Sequence, residues 1–206
     1  MNIVEIRAKL PNDVFSSWEL NMVLADYRNK KAKTASLLRR GVILRLCHGL
    51  YVFAEPLLRA PLNICMLANR IYAPSYVSSD FALSYYGLIP EKTVTVTSIS
   101  RGRTREFVNP VGRFRYHYCR SQAYPIGITS AGDEQGRFLI ATPEKALFDK
   151  VSHDAGFTPE CPERYLRDNL RLDLDRAAKF DKTVLTELAP YMTGRLRGLF
   201  DFLEKL

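Results

Sequence analysis

The stretch Asn29–Phe53, NKKAKTASLLRRGVILRLCHGLYVF, decides the fold, because the period of its residues changes partway along it. A helix runs from about Asn29 to Arg40 and stops at Gly41, a residue favoured just past a helix end. After Gly41 the period is two. Val42, Leu44 and Leu46 alternate with Ile43 and Arg45, Cys47-His48-Gly49 turns the chain, and Leu50-Tyr51-Val52-Phe53 returns as the second strand of a hairpin. Upstream, Ile3, Ile6 and Leu10 repeat at helical spacing before Pro11. Phe15-Ser16-Ser17-Trp18-Glu19 then reads as a second helix start, capped by Ser16 or Ser17, with Trp18, Met22 and Ala25 at i, i+4 and i+7. Three helices followed by a hairpin predict a winged helix-turn-helix over residues 1–57, with Pro56 and Pro61 bracketing the exit.

On a wheel of about 100° per residue, Lys31, Ala35, Leu38 and the following Val42 cluster on the side expected to pack. Asn29, Lys33, Ser36 and Arg40 fall opposite, with Lys30 and Leu37 on the flank. A small polar residue between Lys and Arg suits a helix in a major groove, where Ser approaches a base edge and the cations reach phosphate or guanine. The hairpin would lie against the backbone and offer Arg45 and His48.

The charge pattern supports that placement. The chain has 206 residues and a formal charge of +8, with a pI near 9.4. Residues 28–45 carry Arg28, Lys30, Lys31, Lys33, Arg39, Arg40 and Arg45 with no acid. A second basic window, residues 92–120, sets Lys92, Arg101, Arg103, Arg105, Arg113, Arg115 and Arg120 against Glu106 alone. The other segments are all slightly acidic, so these two windows account for more than the whole excess. A single charge run is most simply a solvated face; the first run, however, coincides with the helix and hairpin that would meet a polyanion. The DNA-binding set expected here is Arg28, Asn29, Lys30, Lys31, Lys33, Ser36, Arg39, Arg40, Arg45 and His48. Seven phosphate contacts would give a log K against log salt slope of up to about −6. For the second window, a further nucleic-acid patch and a solvated hairpin tip stand as equal alternatives.

Composition fits a globular chain of one or two domains, with 47% hydrophobic and 25% charged residues. The opening MNIVEIRAKL lacks the apolar core of a signal peptide, and no run approaches the ~18 apolar residues of a membrane span. A soluble cytoplasmic protein is expected. Cys47, Cys65, Cys119 and Cys161 are far apart and form no CxxC pair, so reduced thiols are expected. Cys47-His48 with His117 and Cys119 is too loosely spaced for a zinc site, and no metal or cofactor is expected.

Residues 58–206 read as a larger mixed α+β domain ending in helices, which makes the whole chain α+β. Pro61–Tyr72 is a helix; Ser78 or Ser79 caps another over Asp80–Tyr86, ended by Gly87. Thr93–Ile99 alternates as a half-buried strand, as does Arg113–Cys119, with Phe114, Tyr116 and Tyr118 on one face and Arg113, Arg115 and His117 on the other. Arg137–Thr142 is a short apolar strand leading into Thr142-Pro143-Glu144, a strong helix start. Tyr85, Tyr86, Tyr116 and Tyr118 could stack bases, although aromatics at these spacings more often form core.

No P-loop, GxGxxG, HExxH or GxSxG motif is present, and no catalytic residue is assigned. Asp80, Glu144 and Lys145 invite the alternative of a metal-dependent nucleic-acid enzyme. Adjacent Glu and Lys diverge on a helix, however, and Lys145 and Asp149 read more simply as a surface i,i+4 pair. A protein-binding adaptor and a stand-alone transcription regulator are further alternatives.

Three segments, LLRRGVILRLCHGLYVF (Leu37–Phe53), YVSSDFALSYYGLIP (Tyr76–Pro90) and FLIATPEKALFDKV (Phe138–Val151), in this order and at these intervals, resemble the AbiEi-type antitoxins over roughly residues 15–155. The resemblance implies an antitoxin of a bacterial type IV toxin–antitoxin pair, linked to abortive phage infection. It would repress its own promoter through an N-terminal winged helix and counter a nucleotidyltransferase-like toxin, directly or indirectly. It also implies DNA contact by Asn29–Arg40 and the wing Val42–Phe53. The Ala141–Asp149 segment matches as a motif, and the apolar side formed by Ala146, Leu147 and Val151 favours a packing role.

Overall fold

The computed structural model describes residues 2–119, 122–132 and 136–206 of a mixed α+β chain. Its residues fall into two compact units. One comprises residues up to Asn63 together with Phe107–Gly112, and the other Ile64–Glu106 with Arg113–Leu206.

In the first unit, α1 (Ile3–Lys9) starts on a capping box in which the Asn2 side chain accepts from the Glu5 N–H and the Glu5 side chain returns to the Asn2 N–H. Strand β1 (Val14–Ser16) leads directly into α2 (Ser17–Val23), whose Ser16 and Glu19 form a second such box. Then come α3 (Lys30–Arg39), β2 (Ile43–Cys47) and β3 (Leu50–Phe53). The strands form an antiparallel sheet in the order β1-β3-β2. Gly49, at φ +78, makes the turn between β2 and β3, and its carbonyl accepts the Ser17 N–H at 2.7 Å. The core joins Ile6 and Leu10 of the α1 segment, Leu20 of α2 and Leu24 just after it, Leu37 of α3 and Val42 just after it, and Phe15, Ile43, Tyr51 and Phe53 of the sheet. Arg7 and Arg59 both pair with Asp13, so those two cations are committed inside the unit. At the added segment, the Asn109 side-chain amide donates to the Leu46 carbonyl at 3.1 Å.

The second unit begins with α4 (Ile64–Ile71), three residues later than the Pro61 start expected from sequence. There follow β4 (Ser75–Val77), α5 (Ser79–Tyr85), β5 (Thr95–Ser100), β6 (Arg105–Asn109) and β7 (Gly112–Tyr118), whose joining residues Phe107–Gly112 count with the first unit, and then β8 (Ile128–Ala131), β9 (Phe138–Ala141) and α6 (Pro143–His153). The chain continues through α7 (Pro162–Arg164), a π-helical turn at Tyr165–Asn169, α8 (Leu174–Ala177), α9 (Lys182–Leu188) and α10 (Arg197–Leu203). The strands form one mixed sheet, β6-β7-β5-β4-β9-β8, parallel at β5/β7 and β4/β9. Strand β5 is central and buried on both faces from Val96 to Ser100, whereas its alternation had suggested one wet face. One face carries Val96, Ser98 and Ser100 and the other Thr95, Thr97 and Ile99, so small polar residues stand on both faces and polarity there does not mean solvent.

Candidate nucleic-acid interface

Helix α3 is positioned by its two ends. The Asn29 side chain accepts the Ala32 N–H at 2.9 Å, and Gly41 at φ +65 closes the helix, with the Val42 N–H bonded back to the Leu37 carbonyl. Leu37 is 1% exposed and anchors the helix in the core, with Leu38 half-buried beside it. Lys31, Ala32, Ala35 and Arg39 therefore face solvent, while Lys30, Lys33, Thr34 and Ser36 are half-buried. The expected faces hold in part: Asn29 and Arg40 are exposed and Leu38 and Val42 pack, but Lys31 and Ala35, placed on the packing side, are exposed, and Lys33 and Ser36, placed on the open one, are half-buried. The cause is Leu37, placed on the flank of the open side but the one fully buried side chain of the helix, which therefore decides which way the helix turns. The Lys33 ammonium instead lies 4.8 Å from the centre of the Tyr27 ring.

Helix α2 is reversed for a similar reason. Leu20 and Leu24 are buried, whereas Trp18 is 69% and Met22 60% exposed. Arg45 is exposed on β2, with its guanidinium 5.8 Å from the Tyr51 ring centre, and His48 is exposed at the turn. A cleft of about 290 Å³ runs between α2, α3 and the hairpin, lined by Ser17, Asn21, Lys31, Thr34, Ala35 and Arg45 among others. Among the described residues lining it, none is acidic. Arg28, Asn29 and Arg40 are exposed at the two ends of α3. The structure thus brings Lys31, Ala35 and Arg45 together, and holds Lys30, Lys33 and Ser36 partly away from solvent.

The second basic window does not form one surface. Arg113 and Arg115 on β7 both pair with Glu106, at 3.3 and 3.5 Å. Arg105 instead stacks 5.7 Å from the Tyr72 ring, which packs edge-on against Tyr116, and Tyr116 points to the opposite face of β7 from Arg113 and Arg115. Arg101 lies 5.7 Å from the Tyr124 ring, and Arg103 is exposed. Arg120 lies outside the described residues. Of the tyrosines, Tyr85 and Tyr118 are exposed, while Tyr116 is fully buried and donates to the Ala68 carbonyl at 2.7 Å.

Lys145 and Asp149 correct the surface-pair reading. Their side chains are 0% and 1% exposed, 3.1 Å apart. Asp149 also accepts from the Tyr76 hydroxyl at 3.0 Å and the Ser78 hydroxyl at 2.8 Å, and the Lys145 ammonium donates to the Ala123 carbonyl at 2.8 Å. Burial, reinforced by the Asp149 charge, pushes the Tyr76 phenol well up, so it stays a donor. Sequence reasoning missed Tyr76 and Ser78 as members, although both stand in the second motif; the cluster ties that motif to the third. Asp80, Glu144 and Lys145 do not share a site. Asp80 pairs with Lys150 at 3.0 Å, Glu144 accepts the Asp181 N–H at 2.9 Å, and Lys145 is held by Asp149.

All four cysteines are free thiols, and burial raises that of Cys65 to about 11. Among the described residues, no group of three His, Cys, Asp or Glu side chains is placed to hold a metal ion, and no helix is long and apolar enough to cross a membrane. Comparison of the chain with known protein families and with curated proteins returned no match.

Proposed function

We propose that the N-terminal unit is a winged helix-turn-helix that binds duplex DNA, and that the protein is a cytoplasmic repressor of its own promoter. The observation that carries this reading is the meeting of Lys31 on α3 and Arg45 on the hairpin across one cleft without an acidic lining residue. On the open face of α3, Ala32 and Ala35 stand between Lys31 and Arg39. Small side chains let the helix approach base edges or a thymine methyl group, while the flanking cations reach phosphate or guanine. Arg45 and His48 would hold the adjacent backbone, as a wing does. The antitoxin role, countering a nucleotidyltransferase-like toxin, is proposed on the resemblance carried by Tyr76–Pro90 and Phe138–Val151, and Tyr76, Ser78, Lys145 and Asp149 make those two motifs one structural unit.

Fluorescence anisotropy with a duplex from the gene's own upstream region tests the interface. Lys31→Ala with Arg39→Ala should weaken binding by about tenfold or more, since a base contact is worth about 1–3 kcal/mol and each lost phosphate contact weakens binding further. Lys33→Ala, which removes a cation held against Tyr27, should change it much less. Undiminished binding by the double variant, with its thermal melt intact, would sink the assignment.

A further inference from the structure

The second unit contains a cleft of about 610 Å³ that the DNA-binding reading does not use. That is within the usual range for small-ligand sites. Thr95 and Thr97, two apart on one face of β5, line it together with Thr93 from the segment just before the strand. No hydroxyl of the three has a hydrogen-bond partner among the described residues. Arg115 lies on the neighbouring strand in register with Thr97 and also lines the cleft; its contact with Glu106 is a loose 3.5 Å, and its side chain is 48% exposed.

A second group of lining residues has different chemistry. Lys150 lies between Asp80 and Asp154, at 3.0 and 3.1 Å, so two carboxylates share one ammonium. Asp154 is the more heavily engaged, because its Oδ2 also accepts the Tyr165 hydroxyl at 2.7 Å and its Oδ1 the Gly156 N–H at 2.8 Å. Asp80 is 37% exposed and keeps acceptor capacity toward the cleft. The apolar Ile89 and Leu170 also line the cleft.

The backbone around this cleft is unusual as well. The π-helical turn Tyr165–Asn169 brings both its end residues to the lining, and such turns occur often at functional sites. Both described non-glycine residues at positive φ flank it: Ser79 at +54 precedes Asp80, and Arg171 at +50 follows Leu170. Strain of this kind is retained where the surroundings enforce it, and it gathers at ligand sites.

We infer that the cleft binds a 5′-ribonucleotide, with the phosphate on Arg115 and the threonine hydroxyls, the ribose hydroxyls donating to Asp80, and the base against Ile89 and Leu170. An anion alone would leave the carboxylate wall unused, and a sugar alone would leave Arg115 without a partner of opposite charge. This inference is independent of the DNA-binding reading, because every residue in it belongs to the other unit.

Isothermal titration calorimetry of the whole chain with each of the four 5′-ribonucleoside monophosphates tests it. At least one should bind saturably at one site below about 1 mM. Arg115→Gln and Thr95→Val should each weaken that binding, the first by about tenfold, and the 2′-deoxynucleotide should bind several-fold less tightly than its ribose form. Thr95→Val preserves shape, so it guards against loss of fold as an explanation. Three results would each overturn the inference: no saturable binding of any of the four, equal affinity for inorganic phosphate, or affinity unchanged in both variants.

Discussion

Burying Lys145 and Asp149 removes two charges from water, and the cost is offset only because each is fully partnered. Asp149 takes three donors, from Lys145, Tyr76 and Ser78, while Lys145 adds the Ala123 carbonyl. Removing one member of such a pair strands the other charge, at a cost of about 3–5 kcal/mol. Lys145→Met and Asp149→Asn should therefore each lose that much in urea unfolding. The double variant strands no charge, so its loss should fall short of the sum by more than about 1 kcal/mol. Additive losses would mean that the two side chains act separately. The four-residue spacing of this pair was plain in the sequence, but its burial was not. Glu144-Lys145 with Asp149 looks the same on a wet helix face, and the partners that make burial tolerable, Tyr76 and Ser78, lie about seventy residues away.

At the scale of elements, signals written in adjacent residues read well and signals that depend on packing did not. The cap at Ser16, the ends of α3 at Asn29 and Gly41, and the turn at Gly49 are all local chemistry, and the structure has each of them. Strands β1, β4, β6 and β8 were not anticipated. Each has only three to five residues, and its identity depends on the strands that pair with it. The face of α2 and part of that of α3 were misplaced because a helix of seven or ten residues with few large apolar groups offers two plausible stripes. For α2 the two stripes can be separated by experiment. Leu20→Ala should cost about 2–5 kcal/mol as a buried truncation, and Trp18→Ser should stay within about 0.5 kcal/mol despite the larger side chain. A larger loss at Trp18 than at Leu20 in thermal or urea unfolding would restore the stripe Trp18, Met22, Ala25 as the packing face.

For the whole molecule, the uneven charge along the chain was legible from composition alone, but which cations are free to meet a polyanion was not. Neither was the inclusion of Phe107–Gly112 in the first unit, since the Asn109–Leu46 hydrogen bond joins residues more than sixty positions apart. Of the seven cations in residues 28–45, Arg28, Lys31, Arg39, Arg40 and Arg45 are exposed, while Lys30 and Lys33 are half-buried. In the second window Arg113 and Arg115 share Glu106, and Arg105 turns to the other face. Five available phosphate contacts lower the expected magnitude of the salt slope from about −6 to about −4.5, and Arg45→Ala should reduce it by about 0.9. The measurement is anisotropy on the same duplex across a series of salt concentrations. A slope steeper than about −6 would bring arginines of the second window into the footprint. A slope near zero would remove phosphate contact, and with it the repressor, because no other term in duplex binding releases counterions in this way.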